Sequence, residues 1–328
     1  MRLPGLKTLV QSGRWLRSRF GPGGLILGYH RVAEASASAY GMCVSPAHFA
    51  EQLEVVHRHC RPVSLVELVN GLDDGNLPPR AVALTFDDGY ADVLDQARPW
   101  LEYHAVPATV FVITGCLGHE FWWDELAHAL IWAKRPTGRL RLRVGGETVA
   151  WALDDSPVGK EERPGNRSRL VSELYRRLLP LAPAERCRIL SQVREWAGDL
   201  PVAPATGRSL TAAEVQQLAG DLVGIGAHTV SHPLLAALPI ALQRSEIHDG
   251  KRTLEALLGR PVTGFSYPNG SASPTTRALV QEAGFRNACG SQPDVARRSS
   301  HRYQLPRFWA PDCDGDAFAR WLHPWLRG

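Results

Sequence analysis

The sequence has few of the features that mark membrane-spanning, disulfide-stabilised or nucleic-acid-binding proteins. It contains no run of 18 apolar residues, so no transmembrane helix is predicted. Its six cysteines are scattered without a C-x-x-C pair, and we expect them to be reduced thiols. The formal net charge is only +4, with no dominant basic block beyond the first twenty residues, so we expect no nucleic-acid partner.

Residues 1–20 lack the uninterrupted apolar core of a signal peptide. Instead, basic residues alternate with apolar ones along this segment. The basic residues are Arg2, Lys7, Arg14, Arg17 and Arg19. The pattern predicts a basic amphipathic segment that either packs on the domain or lies on an anionic inner membrane surface. Both interpretations predict a cytoplasmic protein, peripheral to the membrane in the second case.

Short apolar runs alternate with helical patterns in two parts of the chain, 21–118 and 211–328. The runs LILGYH, AVALTF and ATVFVI are typical of buried strands, and helical segments separate them. Strand, helix and strand at this spacing form a βαβ unit with parallel strands. Seven or eight such units predict an α/β protein with a deformed (β/α) barrel, whose chemistry lies at the carboxyl ends of the strands.

The pattern changes between residues 119 and 210. The pattern predicts a Trp-rich helix, a hairpin and then charged helices, and the stretch ends in the Pro-rich LPVAPATG. We interpret 119–210 as an inserted, mostly helical subdomain within a catalytic domain formed by 21–118 and 211–328.

Two adjacent carboxylates, Asp87 and Asp88, follow the apolar strand AVALTF. Burying two carboxylates without partners is costly, which favours a functional role over an ordinary turn. One carboxylate can bind a metal ion while its neighbour faces a water molecule on that ion. A second Asp-Asp-Gly, at 73–75, lies in a polar stretch, where a turn is the better interpretation.

Two histidines, His228 and His232, lie four residues apart just after another predicted strand. On a helical turn, residues i and i+4 share one face, which suits two ligands of one ion. With Asp88 they would make three protein ligands and leave a fourth position open for water. That pattern is typical of a catalytic metal site.

These two motifs resemble those of the polysaccharide deacetylases, which carry the NodB homology domain and form carbohydrate esterase family 4. The family motif T-F-D-D-G matches Thr85–Gly89, and H-[ST]-x-x-H-P matches His228–Pro233. The resemblance implies a NodB-like barrel, with Asp87 as general base. It also implies a divalent metal ion, usually zinc, held by Asp88, His228 and His232, together with hydrolysis of N-acetyl groups.

The third family motif, R-x-P-Y, is altered here. Ser266 stands at the arginine position, before Tyr267 and Pro268. Arg307 either supplies the missing charge that tunes the base or forms a surface salt bridge. Tyr267 and Pro268 either contact substrate or pack in the groove, and the Asn269 N–H is a candidate oxyanion donor by position.

The fifth family motif is a C-terminal L-x-H whose histidine protonates the leaving amine, and it has no convincing match here. GYHRV, with His30 at the end of the first strand, resembles the subgroup in which this motif is permuted to the N-terminus. The resemblance implies that His30 is the general acid. The alternative is a histidine bonded within the barrel mouth.

Together these features predict a hydrolase of carbon–nitrogen bonds that deacetylates an N-acetylated glycan or a lipid-linked sugar. Two alternatives remain open. One is a hydrolase of the same fold that acts on a non-sugar amide or an O-acetyl ester, and the other is a glycan-binding module with a decayed site.

Overall fold

The computed structural model describes residues 23–34, 40–132, 139–151, 166–198 and 207–326. The basic segment 1–20 and most of the Pro-rich stretch that closes the insertion lie outside these ranges. Within them, no helix is both long and apolar enough to cross a membrane.

Within the described ranges, nine strands form one curled sheet that is mostly parallel. Its path runs β11-β10-β9-β6-β5-β1-β12, with β13 beside β1 and β4 beside β5, while β2–β3 and β7–β8 form separate pairs. The strands are β1 (Gly23–Tyr29), β2 (Arg31–Val32), β3 (Cys43–Val44), β4 (Arg61–Pro62), β5 (Ala81–Phe86), β6 (Ala108–Val112), β7 (Leu140–Val144), β8 (Glu147–Trp151), β9 (Val223–Ala227), β10 (Gly264–Ser266), β11 (Asn287–Cys289), β12 (Ala296–Arg297) and β13 (Phe308–Trp309). The predicted α/β class and parallel sheet are confirmed.

Helices cover this sheet and bury the central strands β5 and β6 along their whole length. A parallel sheet covered on both faces requires such continuous apolar runs. The helices are α1 (Pro46–His59), α2 (Leu65–Asp74), α3 (Arg98–His104), α4 (Trp122–Trp132), α5 (Asn166–Leu178), α6 (Pro183–Ala197), α7 (Ala212–Leu218), α8 (Ile240–Leu258), α9 (Pro274–Glu282) and α10 (Gly315–Leu322).

Two predicted elements differ from the structure. The sequence pattern predicts a helix over 92–103 with a kink or break at Pro99, and the structure has a π-helical turn, Val93–Ala97, followed by α3, with Pro99 in the first turn of α3. Pro99 lacks an N–H, and the first turn of a helix leaves that group unpaired in any case, so it begins a helix here. The sequence pattern also predicts a last strand over 305–309, but only Phe308–Trp309 (β13) forms one, and Leu305 makes an isolated bridge to Cys289.

The described parts of the insertion have an apolar core of their own. It joins α4, the β7–β8 hairpin, α5 and α6 through buried side chains such as Leu130, Leu142, Leu174 and Ile189. The hairpin lies where the sequence predicts it. Trp123 of α4 and Tyr175 of α5 line the cavity described below, and Arg186 of α6 donates to the carbonyl oxygen of Ser231.

Candidate active site

Parallel strands bring the predicted site residues to one edge of the sheet. Asp87 and Asp88 follow β5, His228 follows β9, and His30 follows β1. These four residues and His232 line one cavity of about 420 Å³. That volume lies within the roughly 300–1,000 Å³ range of small-molecule sites.

Asp88, His228 and His232 have the geometry of a metal site. Their ligand atoms lie within 4.8 Å of one another, and each histidine Nε2 is 3.4 Å from Asp88 Oδ1. Metal–ligand distances of about 2.1 Å in a tetrahedron separate ligand atoms by roughly 3.4 Å. Asp88 Oδ1 is buried and accepts no hydrogen bond from the described residues. These features fit a single divalent ion.

The two histidines do not share a helical turn, so that part of the sequence prediction was wrong. Residues 228–232 form an irregular loop in which Thr229 and His232 adopt positive φ angles of 66° and 55°. Asp88 also has a positive φ, 72°. Such conformations are uncommon for residues other than glycine and often cluster at functional sites. The histidines converge because the loop folds back on itself.

The surroundings of the two imidazoles leave an Nε2 atom of each facing Asp88. His228 Nδ1 lies 2.8 Å from the carbonyl oxygen of Ser266, which fixes its ring and leaves Nε2 as the ligand. Burial lowers the pKa of His228, but Asp87 and Asp88 outweigh burial and raise it. For His232, burial dominates and lowers the pKa to about 3, so its imidazole is neutral at pH 7.

A buried arginine holds Asp87. Arg307 donates from Nη1 to Asp87 Oδ1 and from Nη2 to Oδ2, both at 2.7 Å, and only 1% of its surface is exposed. Its other three N–H groups donate to Thr85 Oγ1, Ser266 Oγ and the Gly290 carbonyl oxygen. Burial would raise the pKa of Asp87, but the Arg307 guanidinium holds it below its ordinary value. Asp87 is therefore ionised at neutral pH.

Ser266, at the position of the missing arginine, takes part in this arrangement. Its hydroxyl donates to Asp87 Oδ2 at 3.1 Å and accepts from Arg307 Nη2 at 3.0 Å. From the sequence, Ser266 was interpreted only as the loss of the family arginine. The small side chain of Ser266 leaves room for the guanidinium of Arg307, which directly precedes β13. Arg307 is buried, which rules out a surface salt bridge.

His30 lies in the same cavity, stacked on Trp309 with ring centroids 4.5 Å apart. Burial lowers the pKa of His30, opposed by the carboxylates of Asp88 and Asp87. The histidine is therefore within the electrostatic reach of both carboxylates.

The altered third motif forms the wall of the cavity beside β10. Tyr267 is buried and donates its hydroxyl hydrogen bond to the Tyr303 carbonyl oxygen at 2.8 Å, while Pro268 is also buried. Asn269 has a positive φ of 53°, lines the cavity and accepts a hydrogen bond from Tyr175 of α5 at 3.3 Å. The roles assigned to these residues from the resemblance remain predictions.

One contact, from α4 to the candidate metal ligand His232, was not predicted from the sequence. The Trp123 ring packs 4.7 Å from the His232 ring, and its Nε1 donates to the Tyr90 hydroxyl at 2.7 Å. That hydroxyl donates in turn to Asp124 Oδ2 at 2.6 Å. Tyr90 belongs to the T-F-D-D-G-Y segment, so the motif orients the indole that covers His232.

The sequence profile of the polysaccharide deacetylase family matches residues 74–130 and 189–288. The matched parts contain Asp87, Asp88, His228 and His232 at the positions that the resemblance assigns. These two segments, which carry both motifs, are similar to the polysaccharide deacetylase family. The profile leaves 131–188, the centre of the insertion, unmatched.

Curated relatives match part of the chain. A putative polysaccharide deacetylase, YxkH, from Bacillus subtilis is 27% identical over 114 residues, 34% of this chain and 41% of YxkH. A poly-beta-1,6-N-acetyl-D-glucosamine N-deacetylase from Staphylococcus aureus is 31% identical over 109 residues, 29% of this chain and 38% of the relative. The chain thus spans about two fifths of the length of these curated relatives.

Solved structures show the same fold over nearly the whole chain. IcaB from Ammonifex degensii superposes with a TM-score of 0.60 and 20% identity, covering 94% of this chain and 98% of IcaB. The Streptococcus pyogenes deacetylase PplD, solved with acetate, gives 0.59 and 18%, covering 92% and 98%. The fold is therefore the NodB-like deformed barrel that the sequence predicts.

Proposed function

We propose that the protein is a metal-dependent deacetylase that hydrolyses N-acetyl groups of a glycan or glycan precursor. The observation that carries the proposal is the buried Asp88, His228 and His232 trio beside an ionised Asp87 at the base of an open cavity. The poly-N-acetylglucosamine deacetylase among the relatives supports an N-acetylated sugar as substrate.

A divalent ion held by the trio would supply a Lewis acid for the acetamide carbonyl and the water that attacks it. Asp87, ionised and fixed by Arg307, accepts the proton of that water. His30, on the same cavity, donates a proton to the leaving amine, whose amide anion is too basic to leave. The backbone N–H of Asn269 is the proposed donor to the developing oxyanion.

Zinc is the ion that we propose, since two imidazoles and a carboxylate are a common zinc donor set. A lipid-linked sugar is the alternative form of the substrate. The basic residues of 1–20 support a cytoplasmic protein that contacts the anionic inner membrane surface. Flotation of the full chain with and without anionic lipid vesicles tests this contact.

A substrate panel tests the proposed reaction. Zinc-loaded protein should release acetate and a free amine from N-acetylglucosamine oligomers or from a lipid-linked N-acetyl sugar, and the Asp88→Ala variant should not. Exclusive hydrolysis of O-acetyl esters or of N-acetylamino acids would replace the proposal with the same-fold alternative. Glycan binding without any acetate release would indicate a binding module.

A further inference from the structure

In the loop 228–232, which carries both histidines, the polar backbone groups from the Thr229 carbonyl oxygen to the His232 N–H are all paired. The carbonyl oxygens of Thr229 and Val230 accept from the N–H groups of residues 114 and 115 at 3.2 and 2.8 Å. The N–H groups of Val230 and Ser231 donate to Glu246 Oε2, each at 2.9 Å. The N–H of His232 donates to Thr229 Oγ1 at 3.1 Å. Two residues with positive φ angles are strained, and this conformation persists only because many surrounding contacts hold the loop.

The carbonyl oxygen of Ser231 differs from the others because its hydrogen-bond donor comes from the insertion. It accepts from Nη2 of Arg186 at 2.9 Å, and Arg186 lies on α6 of the insertion. The other partners belong to the catalytic barrel. Arg186 also lies in 131–188, the part of the chain that the family profile leaves unmatched.

Arg186 is buried in a way that packing alone does not favour. Its exposed fraction is 3%, its Nη1 has no hydrogen-bond partner among the described residues, and its guanidinium carbon lies 4.7 Å from the centre of the Trp122 ring. An apolar side chain of similar length would fill this space without burying an unpaired N–H group. The hydrogen bond to Ser231, made while the charge lies over the Trp122 ring, is the combination that only a guanidinium supplies here.

We propose that Arg186 is a positioning residue for the metal-binding loop, through which the inserted helices set how tightly the site holds its ion. Arg186 fixes the carbonyl group of the residue before His232, and Trp123 of α4 fixes the ring of His232. Loss of an outer partner of a metal ligand typically lowers metal affinity 10–100-fold. The inference rests on the proposed function only in taking 228–232 as a metal-binding loop.

The test measures the Zn²⁺ dissociation constant of the full chain by competition with a chromophoric chelator. We expect Arg186→Met to raise Kd roughly 10–100-fold. The matched control is Arg188→Met, on the same helix with about half of its side chain exposed, and it should leave Kd unchanged. The visible spectrum of the Co²⁺-loaded protein should change only in the Arg186 variant. A purely structural role would lower the melting temperature of the metal-free protein without these effects.

A second variant covers the case in which Arg186→Met does not fold. Arg186→Lys keeps the positive charge, but one amine cannot both lie over Trp122 and donate to Ser231, so Kd should still rise several-fold. A wild-type Kd in either folded variant would overturn the inference. If the wild-type protein itself bound no Zn²⁺, the proposed function would fail instead.

Discussion

At the scale of single residues, the ionisation of Asp87 depends on Arg307. The paired guanidinium lowers the pKa of this carboxylate, although burial opposes it. Stability from the pair is therefore fully present above the ordinary Asp pKa of about 3.9 and is lost as the pH falls through the lowered value. Because the base must be ionised to act, the same pair keeps it active in mildly acidic solution.

Replacing Arg307 with Met should raise the Asp87 pKa and move the acid limb of kcat/KM upward by roughly one to three pH units. The unpaired buried carboxylate should also lower the free energy of unfolding by about 3–5 kcal/mol. The pH profile and urea denaturation measure these effects. Arg302→Met, which removes a partly exposed arginine paired with Asp73, is the control. If the acid limb did not move, Arg307 would not set the pKa of Asp87.

Asp87 lies outside the ligand trio, so Asp87→Asn should retain one metal ion while the rate falls on the order of 10²–10⁴-fold. Metal content and acetate release, measured on the same sample, check both parts. Unchanged turnover in the metal-loaded variant would remove Asp87 from the mechanism.

The general-acid role of His30 can be tested by comparing substrates whose leaving groups do and do not need a proton. His30→Ala should slow acetamide hydrolysis by roughly 10²–10⁴-fold, because the amine needs a proton to depart. Aryl acetates should be affected far less, since phenolates leave unprotonated. The exposed His59→Ala serves as control. Equal losses on both kinds of substrate would argue against the general-acid role.

At the scale of elements, the loop 228–232 depends on close backbone packing. A Cβ at Gly115 would lie 2.5 Å from the Val230 carbonyl oxygen, so the loop would have to shift. We expect Gly115→Ala to raise the metal Kd roughly 10–100-fold in chelator competition. Gly220→Ala, where a Cβ meets nothing within 4 Å, should be neutral. Equal affinities in the two variants would mean that the loop tolerates displacement.

The strands and their terminal carboxylates were predictable because uninterrupted apolar runs end abruptly at Asp87 and Asp88. The loop after β9 was not, since its shape depends on partners from distant segments such as Glu246 and Arg186. A signal for Arg186 does exist in the sequence. Arg186 lies three, four and seven residues before the buried Ile189, Leu190 and Val193. This helical spacing places it on the apolar face of α6, where an arginine is unusual.

The position of Arg307 illustrates the same limit. The sequence offered it as a replacement for the lost arginine, but a surface ion pair fitted equally well. Only the sheet topology, which pairs β13 with β1 and β1 with β5, brings the end of the chain to Asp87. Pairing between distant strands cannot be inferred from local pattern.

At the scale of the whole molecule, metal binding should stabilise the fold, because the trio joins β5 to the loop after β9. Saturation at 100 times Kd contributes about 2.7 kcal/mol. For a chain of 328 residues, a chelator should lower the melting temperature by roughly 3–5 °C. Scanning calorimetry with and without chelator measures the shift. The Asp88→Ala variant should show none, and an equal shift there would place the ion elsewhere.

We propose that one metal ion, bound by Asp88, His228 and His232, supports amide hydrolysis. The most direct measurement is acetate release from an N-acetylglucosamine oligomer as Zn²⁺ is added back to chelator-stripped protein. We predict no release without metal, a linear rise, and a plateau at one equivalent per chain. Full activity in the stripped protein, or a plateau at two or more equivalents, would contradict catalysis by a single bound metal ion.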